Sequence, residues 1–185
     1  MAFRFETTSL TGVILCVPDV YRDTRGFFAE TYHAAKYMEA GIRAVFVQDN
    51  HSRSSQGVLR GLHYQLHKSQ AKLVTCVRGE IFDVAVDIRR GSPTFGKWTG
   101  VLLAEQNHHQ LYIPQGFAHG FCVTSDFAEI HYKCSEFYDS RDDHGIAWND
   151  PTLRIEWPIQ EPVLSAKDRG QPCLNDAELP IYKQV

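Results

Sequence analysis

The most constraining feature of this 185-residue sequence is a succession of short runs rich in β-branched and aromatic residues, broken by Gly, Pro, Asn and Asp. Such runs at fairly even spacing are typical of a sandwich or a closed barrel. Residues 80–88 show the strand period of two, since every second residue from Phe82 to Ile88 is large and apolar. We predict strands at residues 12–17, 26–32, 44–50, 58–65, 72–78, 80–88, 98–103, 110–113, 120–124 and 128–134.

Helical segments are scarce in the sequence. Only residues 33–40 form a plainly helical stretch, and Gly41 follows them as a stop. A parallel α/β sheet is disfavoured because no helical crossovers separate the runs. From Asp150 onward the chain is rich in Pro and should wrap the barrel with little regular structure. We therefore predict one all-β domain over residues 1–185, a jelly-roll barrel whose binding cavity lies in its mouth.

Composition argues against several classes of function. The formal net charge is -3 and the basic residues are scattered, so the sequence carries no signature of nucleic-acid or anionic-membrane binding. No apolar run approaches the roughly 20 residues of a membrane helix, and the first residues lack a signal-peptide pattern. The five Cys are dispersed and odd in number. Together these features predict a cytoplasmic protein with reduced thiols.

The nine His residues raise the question of a metal centre, because barrels of this kind often bind a metal through three His and a carboxylate. Such sites usually offer a His-x-His pair with a Glu a few residues on. Here His63 is followed by Gln65, and no Glu occurs before Glu80. His63 and His67 would lie about 13 Å apart along a strand, too far for one ion. We therefore predict no metal.

His63 is instead a candidate general base, with a satisfied core histidine as the alternative. An unperturbed imidazole has a pKa of about 6.5, which suits proton transfer near neutral pH. Such a base needs a carboxylate partner, and spacing leaves both Asp83 and Asp168 open. Tyr132 lies on the apolar alternating set of its strand, where it either packs or serves as a general acid.

Arg60 lies three residues before His63 in an apolar strand, where a charge is costly without a partner. A nucleotide diphosphate would supply that partner through bidentate hydrogen bonds. Strict alternation, however, places Arg60 and His63 on opposite faces of the strand. A bulge at Gly61 would re-aim one of them, and the spacing alone does not decide the matter.

Short motifs along the chain, from about Gly12 to Asp168, resemble in the same order those of one family, the dTDP-4-dehydrorhamnose 3,5-epimerases. The motifs include DTRGFFAET at 23–31, VQDNHS at 47–52, LRGLHYQ at 59–65, GEIFDVAVDIR at 79–89, IPQGFAHGF at 113–121 and LSAKD at 164–168. The resemblance implies a cupin-type jelly-roll with a few short helices. It also implies a homodimer, built partly by N-terminal strands, that needs no metal and no nucleotide cofactor.

The resemblance also implies roles for particular side chains. His63 would be the base, with Asp168 as its carboxylate partner. Tyr132 would be the acid that reprotonates the opposite face of the sugar, and Lys72 would stabilise the enolate at the ketone oxygen. Tyr138 would stack on thymine. The remaining substrate-binding positions would be Arg25, Glu30, Gln48, Asp49, Asn50, Arg60, His119, Asp143 and Lys167.

The implied reaction is epimerisation at carbons 3 and 5 of dTDP-4-dehydro-6-deoxy-D-glucose to dTDP-4-dehydro-L-rhamnose, within dTDP-L-rhamnose biosynthesis for cell-surface polysaccharide. Two alternatives are an enzyme that epimerises a single carbon and a non-catalytic or metal-binding cupin. The chain departs from the family pattern at four positions, which leaves its substrate scope open. They are Asp143 for the frequent Glu, Phe137 for Tyr, Ala71 for Gly, and His131 for an apolar residue.

Overall fold

Antiparallel strands dominate the computed structural model, which describes residues 3–182. The two helices of this range are α1 (Ala34–Glu39) and α2 (Ala166–Arg169), and neither is long and apolar enough to cross a membrane. The strands are β1 (Phe3–Thr7), β2 (Ile14–Pro18), β3 (Val20–Asp23), β4 (Gly26–Ala29), β5 (Gln48–Ser55), β6 (Leu59–Gln65), β7 (Lys72–Arg78), β8 (Glu80–Asp87), β9 (Trp98–Ala104), β10 (Gln110–Ile113), β11 (Phe117–Val123), β12 (Phe127–Cys134) and β13 (Asp143–Gly145).

Two sheets form the body of the molecule. The six-stranded sheet has the order β1-β2-β10-β7-β12-β5, and the five-stranded sheet has the order β13-β6-β11-β8-β9. Within residues 3–182, strands β3 and β4 pair with each other alone and form a separate hairpin. The predicted all-β, cupin-type jelly-roll with a few short helices is confirmed. The predicted single domain of residues 1–185 stays a prediction, and its ends, 1–2 and 183–185, lie outside the described residues.

The main core lies between the two sheets. Val74 and Ile130 of the six-stranded sheet belong to the same buried cluster as Ile81 and Phe121 of the five-stranded sheet. Because strand side chains alternate between faces, the positions two residues away from these also point into the barrel. This alternation brings polar side chains such as Asp83 and Tyr132 inward.

The outer face of the five-stranded sheet is covered by the C-terminal part of the chain. Val84 and Val86 of β8 pack there against Leu153 and Leu174. As predicted, the chain after Asp150 has little regular structure and wraps the barrel. The strongly apolar face of β8 therefore points outward under this cover, and the less apolar face points into the barrel.

The boundaries of several elements differ from the sequence prediction. Strand β5 runs on to Ser55, although its sequence QDNHSRSS has no apolar alternation. It pairs along its whole length with β12, so backbone hydrogen bonds rather than side-chain burial define it. Strands β1, β3 and β13 were not predicted, because the pairing partner of a short polar strand is not visible in its own sequence. Helix α1 is one residue shorter at each end than predicted.

A bulge in β6 settles the conflict between Arg60 and His63. His63 pairs with His119 and Arg60 with Phe121, so two residues of β6 stand opposite one residue of β11. Gly61 sits at this irregularity with a φ of 118°, and a Cβ there would lie 2.5 Å from Gly120 Cα. Only glycine tolerates this conformation and this approach. The predicted bulge at Gly61 is therefore present, and it lets both side chains face the six-stranded sheet.

Candidate active site

A cavity of about 350 Å³ opens between the two sheets. His63 lines it from the five-stranded sheet, and Lys72 and Tyr132 line it from the six-stranded sheet. Several predicted site residues are brought together here. The lining residues are Gln48, Asn50, His63, Tyr64, Gln65, Gln70, Lys72, Tyr132, Cys134, Tyr138 and Asp143.

The carboxylate partner of His63 is Asp168. His63 Nε2 lies 2.5 Å from Asp168 Oδ1, and the Asp168 side chain is buried. Burial would raise the pKa of Asp168, but the hydrogen bonds from His63 and Ser165 outweigh it and hold this pKa below the usual value. With Asp168 ionised, Nε2 carries the hydrogen of the neutral ring and Nδ1 is left to accept a proton. Asp83 is not the partner of His63.

The short helix α2 holds Asp168 in place through a local motif. Ser165 is the N-cap, and its Oγ accepts a hydrogen bond from the Asp168 backbone N–H at 3.0 Å. The same hydroxyl donates to Asp168 Oδ2 at 2.8 Å. The Ser165 hydroxyl thus accepts from the Asp168 backbone and donates to the Asp168 carboxylate, which caps the helix and orients the carboxylate together. The sequence Ser-Ala-Lys-Asp thus fixes the carboxylate that faces His63.

Tyr132 and Lys72 face His63 from neighbouring strands of the other sheet. Burial raises the pKa of Tyr132, so its phenol stays protonated and able to donate at neutral pH. Burial lowers the pKa of Lys72, and the nearby Cys134, Asp143 and Asp83 act in the opposite direction. A lysine amine and a protonated phenol therefore stand across the cavity from a candidate base.

Asp143 ties together two elements at the cavity. Its Oδ2 accepts hydrogen bonds from Tyr138 Oη at 2.8 Å and from Lys167 Nζ of α2. Burial would raise the pKa of Asp143, but the hydrogen bonds from Lys167 and Tyr138 hold it below its usual value. The Tyr138 ring is largely exposed, which leaves it open to a flat ligand group.

Polar side chains from β5 form another part of the lining. Gln48 Oε1 accepts from the Tyr138 backbone N–H at 2.9 Å, and Gln48 Nε2 donates to Asn50 Oδ1 at 3.0 Å. Asn50 Nδ2 in turn contacts Cys134 Sγ at 3.6 Å. This chain of contacts orients amide groups from an edge strand toward the cavity.

Other predicted residues lie outside the cavity lining. Arg60 Nε donates to Ser54 Oγ at 3.0 Å. Arg25 is almost fully exposed on the β3–β4 hairpin beside Asp23. Glu30, Asp49 and His119 each have a different partner. Glu30 Oε1 accepts a hydrogen bond from Lys36 Nζ. Asp49 accepts one from Lys133 Nζ at 2.9 Å, on the outer face of the sheet. His119 Nε2 lies 2.7 Å from Oδ1 of the buried Asp83. The structure does not bring Arg25, Glu30 or Asp49 to His63.

The sequence prediction missed some residues that build the site. Gln65 and Gln70 line the cavity, and Gln65 also accepts from the Asp139 backbone N–H at 2.8 Å. Nothing in their spacing indicated this, because their side chains bond to the backbone of a loop that is distant in sequence. Gln65 contacts Phe137 and Asp139 there, and Gln70 contacts Glu136. Ser165 could have been found, since Ser followed three residues later by Asp is the pattern of a capped helix start. Within residues 3–182 no group of three His, Cys, Asp or Glu side chains is placed to hold a metal ion.

Comparison with known proteins gives a consistent result. The family model described as dTDP-4-dehydrorhamnose 3,5-epimerase matches residues 7–176. The proteins of that name from Shigella flexneri and Methanothermobacter thermautotrophicus are 56% and 50% identical to the chain, over 92% and 97% of it and 96% and 98% of their own lengths. A crystal structure of dTDP-6-deoxy-D-glucose-3,5-epimerase from Legionella pneumophila, in complex with dTDP-4-keto-L-rhamnose, superposes with a TM-score of 0.96 at 48% identity. The superposition covers 99% of this chain and 100% of the Legionella chain.

Proposed function

The chain belongs to the dTDP-4-dehydrorhamnose 3,5-epimerase family, whose members are isomerases, and from that premise we propose a complete reaction for it. It epimerises carbons 3 and 5 of dTDP-4-dehydro-6-deoxy-D-glucose to give dTDP-4-dehydro-L-rhamnose, in dTDP-L-rhamnose biosynthesis. The observation that carries this proposal is the placement of His63 and Tyr132 on opposite walls of one cavity. A base on one side of a sugar ring and an acid on the other is what inversion of a carbon requires.

His63 begins the reaction by removing a proton from a carbon beside the ketone. The ketone at carbon 4 acidifies the hydrogens at carbons 3 and 5, so a neutral imidazole can remove one of them when the developing enolate is stabilised. The proton goes to the ring nitrogen that is not bonded to Asp168. The ionised Asp168 then stabilises the imidazolium and keeps the ring oriented.

Lys72 stabilises the charge that this step creates. As the C–H bond breaks, its electron pair moves onto the ketone oxygen and forms an enolate. An ammonium group within the same cavity provides electrostatic stabilisation where the charge develops. This stabilising role requires that Lys72 be protonated, although burial lowers its pKa.

Tyr132 completes the inversion by donating its phenolic proton to the opposite face of the enolate carbon. Its raised pKa keeps that proton available at neutral pH. The carbon then carries a hydrogen on the other face, and the ketone re-forms. Repeating the sequence at the second carbon gives the L-configured keto sugar, with solvent returning both side chains to their starting protonation states.

The nucleotide part of the substrate has its own candidate contacts. Tyr138 presents an exposed ring for stacking on thymine. Arg60 and Lys167 supply positive charge for the diphosphate, and Gln48 and Asn50 supply amide hydrogen bonds. His119 and Asp143 are also predicted binding residues, and each already holds a partner, His119 with Asp83 and Asp143 with Lys167. Asp49 is predicted to bind substrate as well, although it pairs with Lys133.

A homodimer is part of the proposal, supported by the β3–β4 hairpin. Phe27 and Phe28 of this hairpin are 58% and 60% exposed, which is unfavourable for large apolar side chains without a covering partner. Arg25 lies on the same hairpin and Glu30 directly follows it, both away from His63. A second copy would cover the apolar rings and could receive these two side chains. Light scattering should give twice the 21.1 kDa of one chain, and a value of 21.1 kDa would contradict the dimer.

The reaction as proposed uses only side chains, so it needs no metal and no nucleotide cofactor. The five thiols are unpaired in the structure, which fits the proposed cytoplasmic location. Activity that survives prolonged treatment with a chelator would support the cofactor-free mechanism. Stoichiometric metal together with activity lost to the chelator would favour the metal-binding alternative.

The decisive experiment is turnover of dTDP-4-dehydro-6-deoxy-D-glucose in heavy water, followed by NMR. We expect deuterium at both carbon 3 and carbon 5 of a product with the L-configuration. Deuterium at one carbon alone would identify the single-carbon alternative. An unchanged substrate with no deuterium at either position would overturn the proposal.

A further inference from the structure

The loop between β12 and β13, residues 135–142, carries Tyr138 at the mouth of the cavity. Loop backbone lacks the hydrogen bonds of a sheet ladder, and loops are in general more mobile than the strands they connect. Here the backbone around Tyr138 is held by side chains. The amide of Gln65 on β6 bonds to the residues on both sides of it, and Gln48 on β5 bonds to the Tyr138 N–H. Tyr138 is therefore fixed from two strands that belong to different sheets.

The side chain of Gln65 makes three hydrogen bonds at this end of the barrel. Its Oε1 accepts from the Asp139 N–H at 2.8 Å, and its Nε2 donates to the Phe137 carbonyl at 3.2 Å and to the Lys68 carbonyl at 2.8 Å. A flipped amide would set its NH₂ group against an N–H and its oxygen against two carbonyls, so these neighbours fix its orientation. Both hydrogens of the NH₂ group are in use. Gln65 lines the cavity, yet its donors are committed to the protein and not to a ligand.

A second contact to Tyr138 comes from the cross-strand partner of Gln65. Gln65 pairs with Asp143 of β13, so the two side chains point to the same face. Asp143 Oδ2 accepts the hydrogen bond from Tyr138 Oη at 2.8 Å. One cross-strand pair thus holds both ends of Tyr138, since Gln65 bonds to the backbone on either side of it and Asp143 bonds to its hydroxyl.

The strand that holds Tyr138 also carries the candidate base. Gln65 follows His63 by two residues in a regular part of β6, where both residues keep their pairing with β13. Residues two apart in a strand share a face and lie about 6.6–6.8 Å apart along it. Strand β6 therefore sets the separation between the residue that would take a proton from the sugar and the loop that presents a ring to the nucleotide.

We infer that Gln65 is a positioning residue of this site: its side-chain amide holds the loop of Tyr138 so that the ring is preorganised to stack on the base of a nucleotide sugar, in register with His63. This inference rests on the proposed function for the identity of that base. A ring that is already held loses less freedom when a ligand binds, and the gain appears as affinity. Affinity for a base-containing ligand can be measured without any turnover.

Gln65→Met tests the inference, because methionine keeps the length of the side chain and removes all three hydrogen bonds. Binding a base would then have to immobilise the Tyr138 ring, which corresponds to a loss of affinity for dTDP of about two- to tenfold. Inorganic pyrophosphate has no base to stack, so its affinity should be unchanged. Titration calorimetry measures both ligands. Unchanged affinity for dTDP, or an equal loss for dTDP and pyrophosphate, in a folded variant would overturn the inference.

A double variant tests whether Gln65 acts through Tyr138. Tyr138→Ala leaves no ring to position, so adding Gln65→Met to it should weaken dTDP binding no further. Additive losses of affinity in the double variant would show that Gln65 acts on the ligand by another route. That result would also overturn the inference.

Gln115→Met is the matched control. Gln115 Nε2 donates to the Ser69 carbonyl at 2.7 Å, so this substitution also removes a hydrogen bond from a glutamine to a loop. That loop joins β6 to β7, and Gln115 lies outside the lining of the cavity. The affinity for dTDP should remain that of the wild type. An equal loss in this control would show that any such change near the barrel mouth weakens binding, which would contradict a specific role for Gln65.

Amide hydrogen exchange of the wild type gives a test that does not require a variant to fold. The Asp139 N–H bonds to Gln65 Oε1, and the Tyr138 N–H bonds to Gln48 Oε1. Both amides should therefore exchange more slowly than those of an unstructured peptide of the same sequence. Exchange of the Asp139 amide at the peptide rate would show that Gln65 does not hold the loop, and the inference would fail.

Turnover separates this inference from the proposed function. In an active enzyme, Gln65→Met should raise KM by about two- to tenfold and change kcat less, because the contact to the base is remote from the reacting carbons. A loss of affinity for dTDP but not for pyrophosphate, in a protein that never incorporates deuterium, would reject the epimerase function and retain the role of Gln65. Deuterium at both carbons, with wild-type affinity for dTDP in Gln65→Met, would do the reverse.

Discussion

The two His–Asp pairs of the barrel are chemically alike and differ in access. The ring nitrogen lies 2.5 Å from the carboxylate in His63–Asp168 and 2.7 Å in His119–Asp83. The His63 side chain is 31% exposed, whereas that of His119 is 9% exposed. Asp168 uses its second oxygen to accept from Ser165, while among the described residues the second oxygen of Asp83 has no partner.

This contrast teaches that access, rather than residue type, decides what such a pair can do. A proton carrier must reach the substrate, and His63 does so from the wall of the cavity. We call His63–Asp168 the open pair and His119–Asp83 the closed pair. The closed pair is buried, so it can only orient side chains and place charge. The two pairs are also assembled differently, since Asp168 comes from the chain that wraps the barrel and Asp83 from the strand beside His119. Variants of each pair should therefore fail in different ways.

The largest effect should come from His63→Ala, which removes the base of the open pair. We expect the rate of deuterium incorporation to fall by at least about 10²–10⁴-fold, because acid–base participation contributes that much. The fold should persist, since the side chain is partly exposed and the bulge beside it depends on Gly61. NMR in heavy water measures the rate, and circular dichroism checks the fold.

His67→Ala is the control for this variant, because His67 is an exposed histidine four residues further along. It should retain the activity of the wild type. Near-normal exchange in a folded His63→Ala protein would remove the mechanism proposed above and make the open pair a structural feature.

Asp168→Asn should have the next largest effect. An amide at this position no longer stabilises the imidazolium and permits the wrong tautomer of His63, so we expect a loss of about 10²-fold or more. The hydrogen bonds of His63 and Ser165 lower the pKa of Asp168, so its ionised form adds stability above the unfolded pKa of about 3.9. The melting temperatures of variant and wild type should therefore converge as pH falls through the lowered pKa. A constant difference down to pH 2 would contradict this assignment.

The closed pair should respond mainly in stability. His119→Phe keeps the shape of the ring but leaves Asp83 buried without its hydrogen bond, which should cost about 1–3 kcal/mol of unfolding free energy. His119→Gln is the matched control, because its amide can still donate to Asp83. Denaturant unfolding measures both. Equal stability of the two variants would show that the hydrogen bond to Asp83 contributes nothing.

The same contrast explains how much could be predicted from the sequence. Period-two patterning and turn residues predict the jelly-roll, because each strand contributes its own signal. Strand patterning placed His63 and Tyr132 among the candidates, and the resemblance to the family implied their roles as base and acid. The carboxylate partner of His63 could not be predicted from spacing, which left both Asp83 and Asp168 as candidates. His63 and Asp168 are 105 residues apart and meet only through tertiary packing.

The apolar face of β8 is the clearest case of information absent from local sequence. A face of Val84 and Val86 reads as the interior of a barrel, yet these residues pack under the chain that follows Asp150. The opposite face, with Asp83, is the true interior. A strand buried on both faces cannot be oriented by its own pattern, because the second covering layer comes from a distant segment.

The smallest effect should come from Ser165→Ala, which weakens the support of the open pair and leaves the pair itself intact. Ser165 caps α2 and also donates to Asp168 Oδ2. Loss of an N-cap costs about 0.5–2 kcal/mol, and a cost of about 1.4 kcal/mol corresponds to a tenfold change in an equilibrium. We therefore expect activity to fall by roughly tenfold or less.

Ser165→Thr separates the cap from other effects, because threonine offers the same hydroxyl to the Asp168 N–H and carboxylate. Its activity should approach that of the wild type, with Ser165→Ala intermediate between it and Asp168→Asn. Asp83 lies on strand β8 and has no such capped helix behind it, so neither Ser165 variant should disturb the His119–Asp83 pair. If Ser165→Ala instead matched Asp168→Asn in activity, the carboxylate would depend wholly on its cap. The open pair would then have to be treated as a triad of His63, Asp168 and Ser165.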